Sequence, residues 1–242
     1  MSTRIHPLTD GTAGRVHAYL LEEDDGLTLI DALSGSDGAT ILAGIAAIGR
    51  DVTDLHRIVL THAHRSHVCG AERMRALSGA RIHANPFEAS VMAGERPSAP
   101  TGFWPRRPYR VYQLQAGLTL GYYVERAWRR FPVFANPPFE VDVEIRDGDT
   151  IGSLQVVHTP GHTEGSMSFY WPAERALFTG DVLVTWPRLE IGWRGLTTDT
   201  VRNRRSLAEL GAVGDVEWIG TGHGPPITHD AAAAVRELLI RS

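Results

Sequence analysis

The sequence predicts a mixed α/β fold. Two observations carry this. Short apolar runs alternate with apolar residues at helical spacing from Val16 to about residue 95, and from Gly148 onward short strands separated by Gly/Pro turns lead into a helix, strand, helix ending. With 242 residues, 43% of them hydrophobic, the chain can bury one generous core, and a single domain over residues 1–242 is expected.

The elements follow in order. "VHAYLLEEDDGLTLIDA" reads as two strands joined at Asp25-Gly26, a turn dipeptide. "DGATILAGIAAIG" has helical apolar spacing and closes on Gly49, after which "RIVLTH" reads as a buried strand. "HVCGAERMRAL" then reads as a helix and "ARIHAN" as a strand. Beyond Gly148, Leu154, Val156 and His158 alternate, as do Met167, Phe169 and Trp171, before "ALFTGD". "VRNRRSLAELG", "VEWIGTGHGPP" and "DAAAAVRELLIR" read as helix, strand with loop, and helix. The segment 96–136 stands apart: Arg96 to Phe131 alone holds seven Arg, one acid and eight aromatics. It is expected to be an inserted helical lid or a dimerisation segment, or a pocket wall for an anionic or aromatic substrate.

Composition narrows the partners. All 24 basic residues are Arg against 28 acids, a net charge of −4, so no chain-wide basic field points to nucleic acid or an anionic membrane. The absence of Lys excludes a Lys nucleophile or Schiff base. Cys69, the lone cysteine, cannot form an intramolecular disulfide, which fits a reducing compartment. "MSTRIHPLTDG" lacks a secretion signal's apolar core, and no apolar run approaches the roughly 20 residues that span a bilayer. A cytoplasmic protein is expected, with a small-molecule substrate, apolar or anionic, and a homodimer as the candidate assembly.

The chemistry gathers after apolar runs. "LTHAHRSHVCG" places His62, His64 and His67 within six residues; "TPGHTEGS" supplies His162, "FTGDVL" Asp181 and "GTGHGPP" His223. Strand ends carry side chains rigidly, and glycine lets the backbone turn sharply enough to gather them. Neutral imidazoles with a carboxylate suit zinc or iron.

This series, HxHxxH followed by GH, GD and GHG, resembles the metallo-β-lactamase superfamily, from "LIDA" through "TPGHTEGSMSF" and "LFTGD" to "GHGPP". The resemblance implies a four-layer αββα sandwich, with the helical insertion at 96–136 and a metal site along one edge of the two sheets. It further implies that His62, His64 and His162 hold a first metal, that Asp181 bridges, and that His67 and His223 hold a second. The family's usual motif is HxHxDH, and here Ser66 occupies the aspartate position. A hydroxyl contributes little to a divalent cation compared with a carboxylate, so the second site is weakened. Zinc, one or two per chain, is the expected metal, with iron or manganese as alternatives.

With three His, the first site leaves a coordination position open for water, the arrangement of a catalytic zinc. The expected function is hydrolysis, a metal-bound hydroxide attacking the acyl carbon of an ester, thioester, lactone or amide. Thioesterase or lactonase chemistry is favoured over true β-lactamase activity. Two alternatives are an iron-dependent oxygenase or redox protein on the same fold, and a catalytically silent binding protein. Asp181 is the candidate for orienting or deprotonating the water. Ser66 either hydrogen-bonds that water or merely caps the helix that follows, as Asp would. Asp31, at the end of "TLID", is expected to organise the site from behind. Trp186, Arg188 and Trp193 are candidates for the pocket rim, and Cys69 reads as a buried small hydrophobe. His6, in the tail, His56 and His229, near helix ends, and His17, His83 and His158, on strands, are read as structural or solvated.

Overall fold

The computed structural model of the chain describes residues 4–10, 15–96 and 138–241. The segment read as a lid or dimerisation surface lies outside them apart from Arg96, whose guanidinium sits 5.1 Å from the Phe87 ring centroid.

Two sheets form the centre. The first holds β1 (Ile5–Asp10), β2 (Val16–Glu23), β3 (Gly26–Ile30), β4 (Leu55–Val59), β5 (Arg81–Ala84) and β6 (Val143–Glu144), in that spatial order. β1, β2 and β3 are antiparallel, and β3 through β6 are parallel. The second sheet runs β11 (Trp218–Thr221), β10 (Ala176–Gly180), β9 (Met167–Trp171), β8 (Leu154–His158), β7 (Thr150–Ile151), and within it only β10 and β11 pair in parallel. On the outside lie α1 (Ala39–Ala47), α2 (Arg65–Val68), α3 (Ala71–Ser78), α4 (Pro86–Met92), α5 (Thr200–Leu210) and α6 (Ala231–Arg241).

The period-two pattern of the strands sorts residues into three cores. Tyr19, Leu21, Ile30 and Val59 of the first sheet meet Val156, Phe169, Trp171 and Phe178 of the second. Their neighbours Leu20, Leu29 and Ile58 point outward to pack with Ile41, Ile45 and Met74 of α1 and α3. Tyr170, Leu177 and Ile219 point outward to Leu207, Leu210 and Val235 of α5 and α6. The layers are therefore helix, sheet, sheet, helix, the expected αββα sandwich. Phe169 has 0% of its surface exposed, so truncation to Ala would cost about 3–5 kcal/mol.

Three local readings change. The first residues, taken as a tail carrying His6, form β1: Ile5 and Leu8 are buried, and an edge strand tolerates Pro7. His56, read near a helix end, is on β4. The single helix expected from His67 onward is two, because the chain turns at Cys69-Gly70 against the loop after β3. Ala32 accepts from Gly70 N–H at 3.1 Å, and a Cβ on Gly70 would stand 2.5 Å from that carbonyl oxygen. As a result Ser66 is not a helix cap. His64 holds the N-cap position of α2, and Ser66 lies half-buried inside its single turn.

Candidate metal centre

The carboxyl ends of β3, β4, β8, β10 and β11 meet at one edge of the sandwich, where the backbone laces the sheets together. Met167 N–H donates to Thr61 O at 2.9 Å, His17 N–H to Gly222 O at 2.9 Å, and Gly224 N–H to Arg15 O at 3.0 Å. Each connection leaving this edge carries a polar group: Asp31 after β3, His62, His64 and His67 after β4, His162 after β8, Asp181 after β10 and His223 after β11.

All six expected ligands converge, in two groups that share Asp181. His62, His64, His162 and Asp181 place one ligand atom each within 4.8 Å of one another, and so do His67, Asp181 and His223. In the first group His64 Nδ1 is 3.1 Å from His62 Nε2 and 3.0 Å from His162 Nε2. Asp181 Oδ2 is 3.4 Å from His162 Nε2 and 3.8 Å from His62 Nε2. In the second group His67 Nε2 is 3.4 Å from His223 Nε2 and 3.5 Å from Asp181 Oδ1, while His223 Nε2 is 3.3 Å from Asp181 Oδ2. Ligands about 2.0–2.1 Å from a tetrahedral zinc stand roughly 3.3 Å apart, so these separations fit a small divalent cation. Asp181 Oδ1 is buried with no hydrogen-bond partner, as a ligand oxygen would be.

Hydrogen bonds behind the ligands set their tautomers. A carboxylate only accepts, so His67 Nδ1–H donates to Asp31 Oδ2 at 2.9 Å, and Nε2 is the nitrogen left facing Asp181. Thr61 Oγ1–H donates to the same Asp31 oxygen at 2.8 Å, and its oxygen lies 2.9 Å from His62 Nδ1, positioned to accept that N–H. One carboxylate therefore orients a histidine of each group. Asp31 holds a left-handed backbone conformation, φ 57°, and accepts Thr61 N–H at 2.8 Å.

The electrostatics favour a cation. Burial opposes ionisation of Asp181, yet His223 and His67 hold its carboxyl well below the usual range. Burial likewise disfavours a charged His67, but Asp181 and Asp31 outweigh it and raise the imidazole to about 10. Burial first, and then neighbouring histidines, push His62 well below its ordinary value and His64 to about 3. Burial brings His162 to about 4 although Asp181 pulls the other way. The neutral imidazoles of His62, His64 and His162 beside an ionised carboxylate are what a divalent metal requires, whereas His67, held protonated by Asp181 and Asp31, has to release its Nε2 proton before it can ligate.

Of the remaining expectations, Cys69 is buried, and Trp193 tilts against His223 with ring centroids 4.4 Å apart. Trp193 Nε1–H donates to Trp186 O at 3.0 Å, and Trp186 is 40% exposed beside it. Arg188 turns to Glu190 in the exposed loop. A polar cavity of about 470 Å³ opens beside the His162 loop instead of at the ligand cluster; its Arg202 pairs with Glu164, and its Asp199 caps α5. Sequence reasoning missed Thr61 and Glu88. Glu88 is a buried carboxylate on α4 that accepts from the backbones of both the His62 and the His162 loops. Thr61 directly precedes the first ligand, whereas no spacing signal marks Glu88.

An αββα sandwich whose edge gathers five imidazoles around a shared carboxylate defines a protein with a divalent-metal-binding site. The chain belongs to the metallo-β-lactamase superfamily, whose family profile matches residues 11–240. It is similar to the Bacillus subtilis (strain 168) protein YobT, at 31% identity over 171 residues covering 69% of this chain and 61% of that protein. It is also similar to the hydroxyacylglutathione hydrolase of Fuscovulum blasticum, at 26% identity over 68% of this chain and 49% of that one. The chain thus spans about half to three-fifths of the length of these relatives. Among solved structures, the Cronobacter sakazakii metallo-β-lactamase with the HARLDQ motif matches with TM-score 0.68 and 21% identity, over 100% of this chain and 93% of that one. The di-iron-bound form of TTHA1623 matches with TM-score 0.62 and 24% identity, over 92% and 94%. Both likenesses are of fold. Among the described residues no helix is long and apolar enough to cross a membrane.

Proposed function

We propose that this chain is a metal-dependent hydrolase of small acyl substrates, with esters, thioesters and lactones ahead of amides. The observation that carries this reading is the sharing of Asp181: Oδ2 faces His62, His162 and His223, and Oδ1 faces His67. A divalent metal held by this set would polarise a substrate carbonyl and bring the pKa of a water molecule to near 7. The first group supplies three neutral nitrogens and one carboxylate oxygen, with zinc the metal its chemistry suits best. Asp181 can also accept a proton from, and so orient, an attacking water, since Ser66 puts no second carboxylate in the HxHxSH motif. Ser66, next to His67 in the sequence, would offer a hydroxyl in its stead. Trp186 and Trp193 give an apolar group of the substrate an indole surface beside His223. The relatives named hydroxyacylglutathione hydrolase support thioester cleavage within this range, since their name describes release of a hydroxyacyl group from glutathione.

Iron is the second reading, favoured by one structural neighbour being a di-iron form. The two separate by experiment. Protein purified without added metal is analysed for bound elements, then assayed against an aryl ester, an acyl thioester, a γ-lactone and a β-lactam with and without chelator. Zinc, with chelator-sensitive turnover of at least one acyl substrate, is the expected result. Iron with oxygen consumption and no hydrolysis would replace the hydrolase reading, and metal binding with neither activity would leave a binding protein.

A further inference from the structure

Glu88 sits on α4, a helix begun by Pro86 and capped by Asn85, whose Oδ1 accepts Phe87 N–H at 2.8 Å. Its side chain is inside the protein, with 1% of the residue exposed. Its two oxygens reach different loops: Oε2 accepts Ala63 N–H at 2.8 Å, and Oε1 accepts Gly165 N–H at 2.9 Å. Ala63 is the residue between His62 and His64, and Gly165 lies three residues beyond His162. One loop follows a strand of the first sheet, the other a strand of the second. A Cβ on Gly165 would stand 2.6 Å from Asn85 Oδ1 and 2.9 Å from Glu88 Oε1, so the close approach of α4 to this loop depends on glycine.

Burying a carboxylate costs several kcal/mol, and here backbone N–H groups meet it instead of a cation. An uncharged residue would tie a helix to a core at lower cost. What a carboxylate adds is two acceptor atoms with a fixed separation, which a glutamine cannot match because its amide nitrogen would face one of the two N–H donors. We propose that Glu88 is a positioning residue for the first metal group: by holding one backbone N–H in each loop, it fixes His62 and His64 against His162 at ligating separation before a metal arrives. Glu88 touches no ligand nitrogen and acts only through the two loops. The inference rests on the reading of this group as a metal site.

The test compares Glu88→Gln with Glu23→Gln. Glu23 is a second buried carboxylate that links the sheets, accepting from Thr28 and from Ser153 N–H at the opposite end of β3. Zinc affinity is read by competition with a chromophoric chelator, and Tm by thermal unfolding of the metal-free proteins. Glu88→Gln is expected to weaken the first equivalent about 10–100-fold, the range for groups behind a ligand, with Glu23→Gln lowering Tm but leaving affinity within about threefold. An unchanged Kd in Glu88→Gln, or an equal loss in Glu23→Gln at matched Tm, would overturn the proposal. Failure of the wild-type protein to bind zinc at all would instead sink the metal-site reading beneath it. Amide hydrogen exchange in the metal-free wild-type protein decides the matter even where Glu88→Gln does not fold: Ala63 and Gly165 N–H are expected to be protected without metal. Open exchange at both, with protection appearing only on adding zinc, would refute the inference.

Discussion

Asp31 Oδ2 accepts Nδ1–H of His67 at 2.9 Å and the hydroxyl of Thr61 at 2.8 Å, so one carboxylate orients His67 directly and His62 through Thr61. Asp31→Asn keeps the left-handed backbone, which Asn tolerates, but removes the charge that fixes both imidazoles. Zinc affinity is expected to fall by about 10–100-fold, with Tm of the metal-free protein changing less than in Asp31→Ala. Isothermal titration with zinc checks this, and unaltered affinity in Asp31→Asn would remove Asp31 from the site.

Asp181→Asn deletes the charge shared by both groups while leaving the side chain's shape. Hydrolysis of whichever acyl substrate proves active is expected to drop by at least about 10²–10⁴-fold, the range for loss of a general base, while far-UV circular dichroism stays native. Turnover by the Asp181→Asn variant within about tenfold of wild type would refute both the bridging and the water-orienting roles.

Ser66→Asp restores the carboxylate of the usual motif next to His67. The second zinc equivalent is expected to bind at least about tenfold tighter, equivalent to about 1.4 kcal/mol, with the first equivalent unchanged. Elemental analysis after dialysis reads the stoichiometry: wild-type protein holding two zincs as firmly as the variant would show that Ser66 does not weaken the second site.

Acid should loosen the metal-free fold through histidines outside the site as well as within it. Burial, and then Arg81 and Arg57, push His83 down to about 4, and its buried Nδ1 has no partner. Its folded pKa lies below the unfolded value near 6.5, so between pH 6.5 and 4 the unfolded chain binds the extra proton. Stability is therefore lost as pH falls through that window. His83→Phe is expected to flatten the decline of Tm between pH 6.5 and 4 relative to wild type, a comparison in which the titration of the metal-site histidines cancels. Parallel curves for the two proteins would show that His83 carries no linkage.

Much of this protein is legible along the chain because it depends on local periodicity and on residues too costly to bury without purpose. The alternation of Met167, Phe169 and Trp171 announces a strand with an inner face, and Asp25-Gly26 announces the β2–β3 turn. His62, His64, His67, His162, Asp181 and His223 each follow an apolar run, which is why every expected ligand lies at the same sheet edge. β1 escaped because Pro7 and Asp10 mask a strand whose partner, β2, is contributed by tertiary pairing. The break between α2 and α3 escaped because Gly70 N–H is taken by the Ala32 carbonyl, a residue distant in the chain, at an approach too close for any Cβ. What the sequence by itself determined is the order of strands and helices and the residue types of the candidate ligands, written in periodicity and spacing, while the layered fold and the ligand grouping come from the family resemblance those motifs carry. Only the tertiary structure decided that Asp31 serves a histidine of each group and that Glu88 grips both ligand loops. Those relations are distances between atoms far apart in the chain, and they come into being only when the two sheets close on one another.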